Sequence, residues 1–241
     1  NTTLREQISY LNGRLELEKK KFDQLTKKKE ENDLEEYFHN KYPVINQVYA
    51  GRYIPNNNAA LNIDVRTFIN FNDFKVKLIV ESLGFKKDTP DDVMALECLK
   101  WVIKNIKYKS DTSITGKNEF WQLPFETLEL GVGDCEDGAI LLANLLLACN
   151  IPYWKARLTA GNVQDPNNAN KKVGHAYLTY YCEQLDSWKV LDWCFWSNIL
   201  LVNERKDYKD EGKYYDVWFS WNQKYCYALS TKNLKKFQNQ K

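Results

Sequence analysis

Cys135, His175 and Asp192 are the residues of this chain best suited to do chemistry together. Cys135 stands in Gly133-Asp134-Cys135-Glu136-Asp137, just ahead of an apolar run from Ala139 to Cys149. That places a thiol at the start of a buried helix. His175 follows in Val173-Gly174-His175-Ala176-Tyr177, and Asp192 in Val190-Leu191-Asp192-Trp193. A thiol, an imidazole and a carboxylate in that order are the parts of a nucleophile, its general base and the group that orients the base. Only two histidines are present, and His39 reads as plain surface, so the choice of base is nearly forced.

A free thiol ionises near pH ~8.5 and attacks poorly as SH. The N–H groups of a helix N-terminus favour the thiolate. Glu136 and Asp137 suit the helix dipole but oppose a thiolate, so an imidazolium within about 4 Å has to supply positive charge. His175 therefore matters more to Cys135 than the helix does. Gly174 would leave open space beside its ring. Asp192, a lone acid between Leu191 and Trp193, needs a partner if its strand is buried, and His175 is the natural one. Acyl transfer also needs donors to an oxyanion. The Cys135 backbone N–H is one candidate, and the side chain of Gln122 or the indole of Trp121 is the other. Asp134 reads as a helix cap, and Asp137 as a second cap or local partner. Trp193, Trp196, Trp218 and Trp221 read more readily as core than as walls of a substrate groove.

The elements that must position these groups read as a helical half, a central buried helix, then an antiparallel sheet, an α+β order. Thr89-Pro90-Asp91-Asp92 starts a helix with a cap, a proline and first-turn acids. It runs to about Ile106, with Val93, Leu96, Leu99, Val102, Ile103 and Ile106 as its inner stripe. The Cys135 helix ends near Asn150, ahead of Pro152. Strands are expected at 154–160, 173–182, 188–193 and 214–221, and the alternation from Leu61 suggests one at 61–69. Residues 40–60 and 162–172 read as polar loops. If 173–182 and 188–194 form a hairpin, His175 and Asp192 share a face. Setting them opposite one another requires a turn tighter than a four-residue loop at 184–187, or a bulge.

Residues 1–38 read as a helical extension, 39–230 as the main domain and 231–241 as a polar tail. Leu4, Ile8, Leu11, Leu15, Phe22 and Leu25 keep heptad spacing, with Glu18 filling the gap. This is a short coiled coil interrupted at Asn12-Gly13, and it offers homo-oligomerisation through residues 4–25. The plainer reading is one amphipathic helix packed on its own domain. The lysines around it suit a solvated face.

Among 241 residues, 34 are basic and 32 acidic, which gives no footprint for nucleic acid. Apolar residues make up 44%, enough for a sizeable core. The apolar run at 138–149 falls short of the ~18 residues of a membrane span, so no membrane partner is expected. No secretory leader is visible, and Asn1 in place of Met reads as a processed, trimmed or partial chain. The six cysteines show neither CxxC nor metal spacing. Most lie in apolar stretches, which points to reduced thiols and an intracellular setting.

Three blocks carry a resemblance: Trp121-Gln122-Leu123-Pro124-Phe125-Glu126, then Gly131 to Ala139 around Gly-Asp-Cys-Glu-Asp, then Gly174-His175-Ala176-Tyr177 with Leu191-Asp192. Together, over roughly residues 90–195, they resemble the transglutaminase-like cysteine protease superfamily, in its bacterial and phage form. The resemblance implies a papain-like fold, with Cys135 as nucleophile, His175 as base and acid, and Asp192 as orienter. It implies no metal or other cofactor for the chemistry. It also implies a thiol-dependent amide hydrolase acting on a protein or peptide. The alternatives are a glutamine transamidase or a structural module with an idle site. Such domains also occur in phage virion proteins, and a virion-associated place would suit an Asn- and Lys-rich chain with a short coiled coil.

Overall fold

The computed structural model describes residues 2–41, 44–45, 49–53 and 60–228. The expected tail at 231–241 lies outside them, as does the His39 side chain. Two compact units divide the chain, residues 1–41 and 42–241. The first is a single helix, α1 (Thr2–Lys41). It runs straight through Asn12 and Gly13, so the expected interruption does not form. One glycine inside a helix costs only about 1 kcal/mol, which the surrounding Leu, Glu and Lys residues readily offset.

In the second unit, the region 40–60 carries two short strands where loop was expected, β1 (Val44–Ile45) and β2 (Tyr49–Tyr53). β2 pairs with β3 (Ala60–Asp64). The strand expected at 61–69 stops at Asp64 because its carboxylate accepts the Arg66 N–H at 2.9 Å and starts a 3-10 turn. That turn sends Val65 and Phe68 into the core.

Four helices follow: α2 (Phe74–Leu83), α3 (Asp91–Asn105), α4 (Asp111–Thr115) and α5 (Pro124–Leu130). The Thr89 hydroxyl accepts the Lys86 N–H instead of capping α3. Met94, Ala95, Leu96, Cys98, Leu99 and Val102 form its inner face, but Val93 is 45% exposed. Two residues before Ala95, Val93 lies about 200° round the helix from it, outside the stripe.

The central helix is α6 (Cys135–Ala148), and every residue from Glu136 to Leu147 is buried. Helices α2, α3 and α5 pack on it, as do β6 (Ala156–Asp165) and β7 (Asn168–Cys182). Contact on all sides explains a helix without a polar face. It ends at Cys149, Asn150 takes the left-handed conformation, and Pro152 follows.

β6 and β7 belong to a six-stranded antiparallel sheet with β8 (Ser187–Leu191), β9 (Tyr214–Trp221) and β10 (Cys226–Ala228). Its order is β1-β10-β9-β6-β7-β8. The polar stretch 162–172 is mostly strand, turning at Pro166-Asn167, and not a loop. The tip of this hairpin is exposed on both faces, so it lacks the alternation that betrays a half-buried strand. Cys182 pairs with Ser187 and Leu178 with Leu191, across a turn of Glu183 to Asp186 with Asp186 left-handed. Continued, that register would set Cys194 opposite His175, but the chain leaves the sheet at Asp192.

Candidate active site

The site is built where α6 begins. β5 (Val132–Gly133) pairs in parallel with β4 (Lys107–Tyr108), which brings Tyr108 beside the helix start. Asp137 organises this end. One carboxylate oxygen accepts the Asp134 N–H at 3.1 Å and the other accepts the Gln122 N–H at 2.8 Å. Asp137 thus caps α6 from within and anchors the segment ahead of α5. Asp134 occupies the position before the first helical residue, which is Cys135.

Trp193 joins the sheet side to the helix. Its indole N–H donates to the Cys135 carbonyl at 3.0 Å. The ring lies flat against Gly138, where an added Cβ would stand 2.2 Å from Trp193 Cε2. Gly138→Ala should therefore lower the urea midpoint by about 1–3 kcal/mol equivalent, because Trp193 and the 192–195 turn must shift. An unchanged midpoint would show that Trp193 is not seated on α6.

His175 is buried, and its Nε2 lies 2.8 Å from Asp192 Oδ2. The same oxygen accepts the Tyr214 hydroxyl at 2.9 Å. Oδ1 accepts the Cys194 N–H at 3.1 Å and the Phe195 N–H at 3.3 Å. Burial alone would raise the Asp192 pKa, but the His175 charge and these hydrogen bonds outweigh it and hold it below the usual carboxylate range. With a carboxylate on Nε2, that nitrogen carries the proton, which leaves Nδ1 basic. Nδ1 is buried and has no hydrogen-bond partner among the described residues. The Phe195 ring stacks on the imidazole at 4.1 Å and 6°. Gly174 does not leave open space: an added Cβ would meet Trp218 at 2.9 Å, so the tryptophan ring occupies that side.

Cys135 makes no hydrogen bond to His175 among the described residues. Its Sγ donates to Glu136 Oε2 at 3.1 Å. Burial pushes the thiol pKa well up, and the negative charges of Glu136 and Asp134 push it further. The thiol is surrounded by acids that are themselves hard to ionise. Desolvation and mutual repulsion raise Asp134 to about 6 and Asp111 to about 7, and drive Glu136 and Asp137 well above the ordinary range. Asp111 Oδ1, Asp134 Oδ1 and Glu136 Oε1 are buried without hydrogen-bond partners among the described residues. Donor oxygens of Asp111, Asp134 and Asp137 lie within 4.8 Å of one another, as do those of Asp111, Glu119 and Glu136. This donor set fits shared protons or a hard divalent cation, either of which would relieve the repulsion.

The two oxyanion candidates separate. The Gln122 side chain is fully buried and neither amide atom has a hydrogen-bond partner among the described residues, so it has a donor to spare. Trp121 donates its N–H to Glu119 at 2.7 Å, and its ring packs on Trp221 and Phe68. Its donor is engaged there and its ring belongs to the core. Trp193 and Trp221 are also buried. All six cysteines are free thiols, with Cys98 and Cys149 in contact at 3.7 Å.

Sequence reasoning missed Tyr214, Phe195, Tyr108 and Asp111. Tyr214 reaches Asp192 only because β9 pairs with β6 next to β7, and no local pattern encodes that. Tyr108 is half exposed, its ring near Trp193 and Phe195.

The geometry is that of an α+β domain whose central helix starts on a cysteine and whose sheet carries a histidine bonded to an aspartate just past the end of β8. Residues 81–193 match the model of the transglutaminase-like superfamily. No curated protein matches the chain. Among solved structures it is similar to Legionella pneumophila LapG. The EGTA-treated form has 22% identity and a TM-score of 0.45, covering 68% of this chain and 92% of that one. The calcium-bound form has 19% identity and a TM-score of 0.46, covering 68% and 96%.

Proposed function

We propose that this chain is a thiol-dependent amide hydrolase of the cysteine-peptidase type, acting on a protein or peptide. The observation that carries the reading is the buried His175–Asp192 pair, which leaves Nδ1 without a hydrogen-bond partner among the described residues, on a strand that packs against the helix starting at Cys135. In the proposed reaction, Nδ1 takes the Cys135 proton as sulfur attacks the amide carbonyl. The Cys135 backbone N–H and the Gln122 amide donate to the oxyanion. The imidazolium then protonates the leaving amine and a thioester remains. Water, deprotonated by Nδ1, releases the acid and frees the thiol. Asp192 holds the tautomer and stabilises the imidazolium.

The thiol–Glu136 bond describes the resting enzyme, with the proton on sulfur. It also favours a second reading, in which the site is idle and the domain is structural. Both are tested by incubating the full chain with an unfolded protein and a labelled primary amine. Cleavage that disappears in Cys135→Ala supports the hydrolase. Label incorporation without cleavage would make it a transamidase, and neither product would make it a structural module.

A further inference from the structure

Helix α1 displays a narrow apolar stripe. Ile8, Leu11, Leu15, Phe22 and Leu25 follow the alternating spacing of a coiled-coil seam, and they are 51–69% exposed. Glu18 occupies the seam position between Leu15 and Phe22, also exposed, with Lys21 bonded to it at 3.0 Å. Between Leu11 and Lys28, the stretch that holds the apolar seam, the flanking positions are Asn12, Arg14, Lys19, Lys21, Thr26 and Lys28. Four of these six are basic and none is acidic. The acids Glu16 and Asp23 sit on outer positions.

That charge pattern decides what can cover the stripe. In a symmetric pair of two copies, parallel or antiparallel, basic flank meets basic flank. In the parallel register Arg14 would also face the other copy's Lys19, and Glu18 would face its own equivalent inside the seam. A lipid surface fits less well: two apolar positions in seven is narrower than the face of a helix lying in a membrane, and Glu18 sits within it.

We propose that α1 docks an amphipathic helix of a different protein, one with acidic residues flanking its seam and a basic residue opposite Glu18. Residues 4–25 then serve a heterotypic partner and not a second copy.

The test uses the full chain with two synthetic four-heptad peptides of identical leucine seam, one flanked by glutamates and one by lysines. Vesicles containing phosphatidylserine serve as the lipid probe. Sedimentation velocity should find the chain monomeric at micromolar concentration. The acidic peptide should bind by fluorescence anisotropy and weaken at least about tenfold from 0.05 to 0.5 M salt. The combined variant Arg14→Glu, Lys19→Glu, Lys21→Glu, Lys28→Glu should reverse the preference to the basic peptide. Its urea midpoint for the second unit should stay unchanged, showing that the reversal is a surface effect. A salt-resistant dimer of the chain alone would overturn the proposal. So would equal or absent binding of the two peptides, or vesicle binding in place of peptide binding.

Discussion

Asp192→Ala should cut peptide cleavage by about 10²–10⁴-fold and cost about 3–5 kcal/mol of stability. Both effects follow from its hydrogen bonds. Removing the carboxylate leaves the His175 Nε2–H, the Tyr214 hydroxyl and the Cys194 and Phe195 N–H groups unpaired in a buried site. Asp192→Asn separates the two roles. Its side-chain oxygen can still accept the Cys194 and Phe195 N–H groups, so most of the stability should return. The amide on Nε2 no longer fixes the proton there or supports an imidazolium, so activity should stay low. Urea midpoints and cleavage rates of both variants check this. An Asn variant that regains activity together with stability would reduce Asp192 to a structural residue.

Stability should rise as pH falls from 8 to 5, the reverse of most domains with paired carboxylates. Asp111 and Asp134 have folded pKa values of about 7 and about 6, against ~3.9 for an unfolded aspartate. Between about pH 4 and 7 the folded chain therefore binds more protons than the unfolded one, and raising the pH through that window removes stability. Asp192 works in the opposite sense. Its folded pKa is depressed, so its contribution is present above about pH 4 and is lost as the pH falls through the folded value. Urea midpoints measured in chelator at several pH values from 8 to 4 should peak near the acid end. Asp111→Asn should raise the midpoint at pH 8 by roughly 1–3 kcal/mol equivalent and flatten the slope. A midpoint that climbs from pH 5 to 8 would show that these acids are not held apart from water.

The helix that starts at Cys135 was legible because its signals are local. Gly133-Asp134 before Cys135 and an apolar run closed by Asn150 and Pro152 mark both ends, and α6 spans Cys135–Ala148. The hairpin carrying His175 was legible by its alternation. The turn was misplaced by one residue because Asp186 adopts a left-handed conformation that glycine or asparagine would have announced. The polar strands around Pro166 were unreadable for another reason. Where both faces of a hairpin meet water, the sequence has no need to alternate. The histidine–aspartate bond was anticipated by the chemistry of a lone buried acid, yet it forms beyond the paired strands, in the turn that follows Leu191. Tyr214, Phe195 and Asp111 had no local signature. The acids around Cys135 were visible, but their burial was not, and burial is what turns them from helix-dipole partners into opponents of the thiolate.

The central claim is that His175 draws the proton from Cys135. Its most direct test is the rate of Cys135 alkylation against pH, in the native chain and in His175→Ala. The other five cysteines are separated by site-resolved peptide mapping. The account predicts fast alkylation with a plateau beginning well below pH 8 in the native chain, lost in the variant. Slow alkylation that rises only above the free-thiol range, identical in both, would mean that Glu136 and Asp134 keep the proton on sulfur and that the site does not work as a nucleophile.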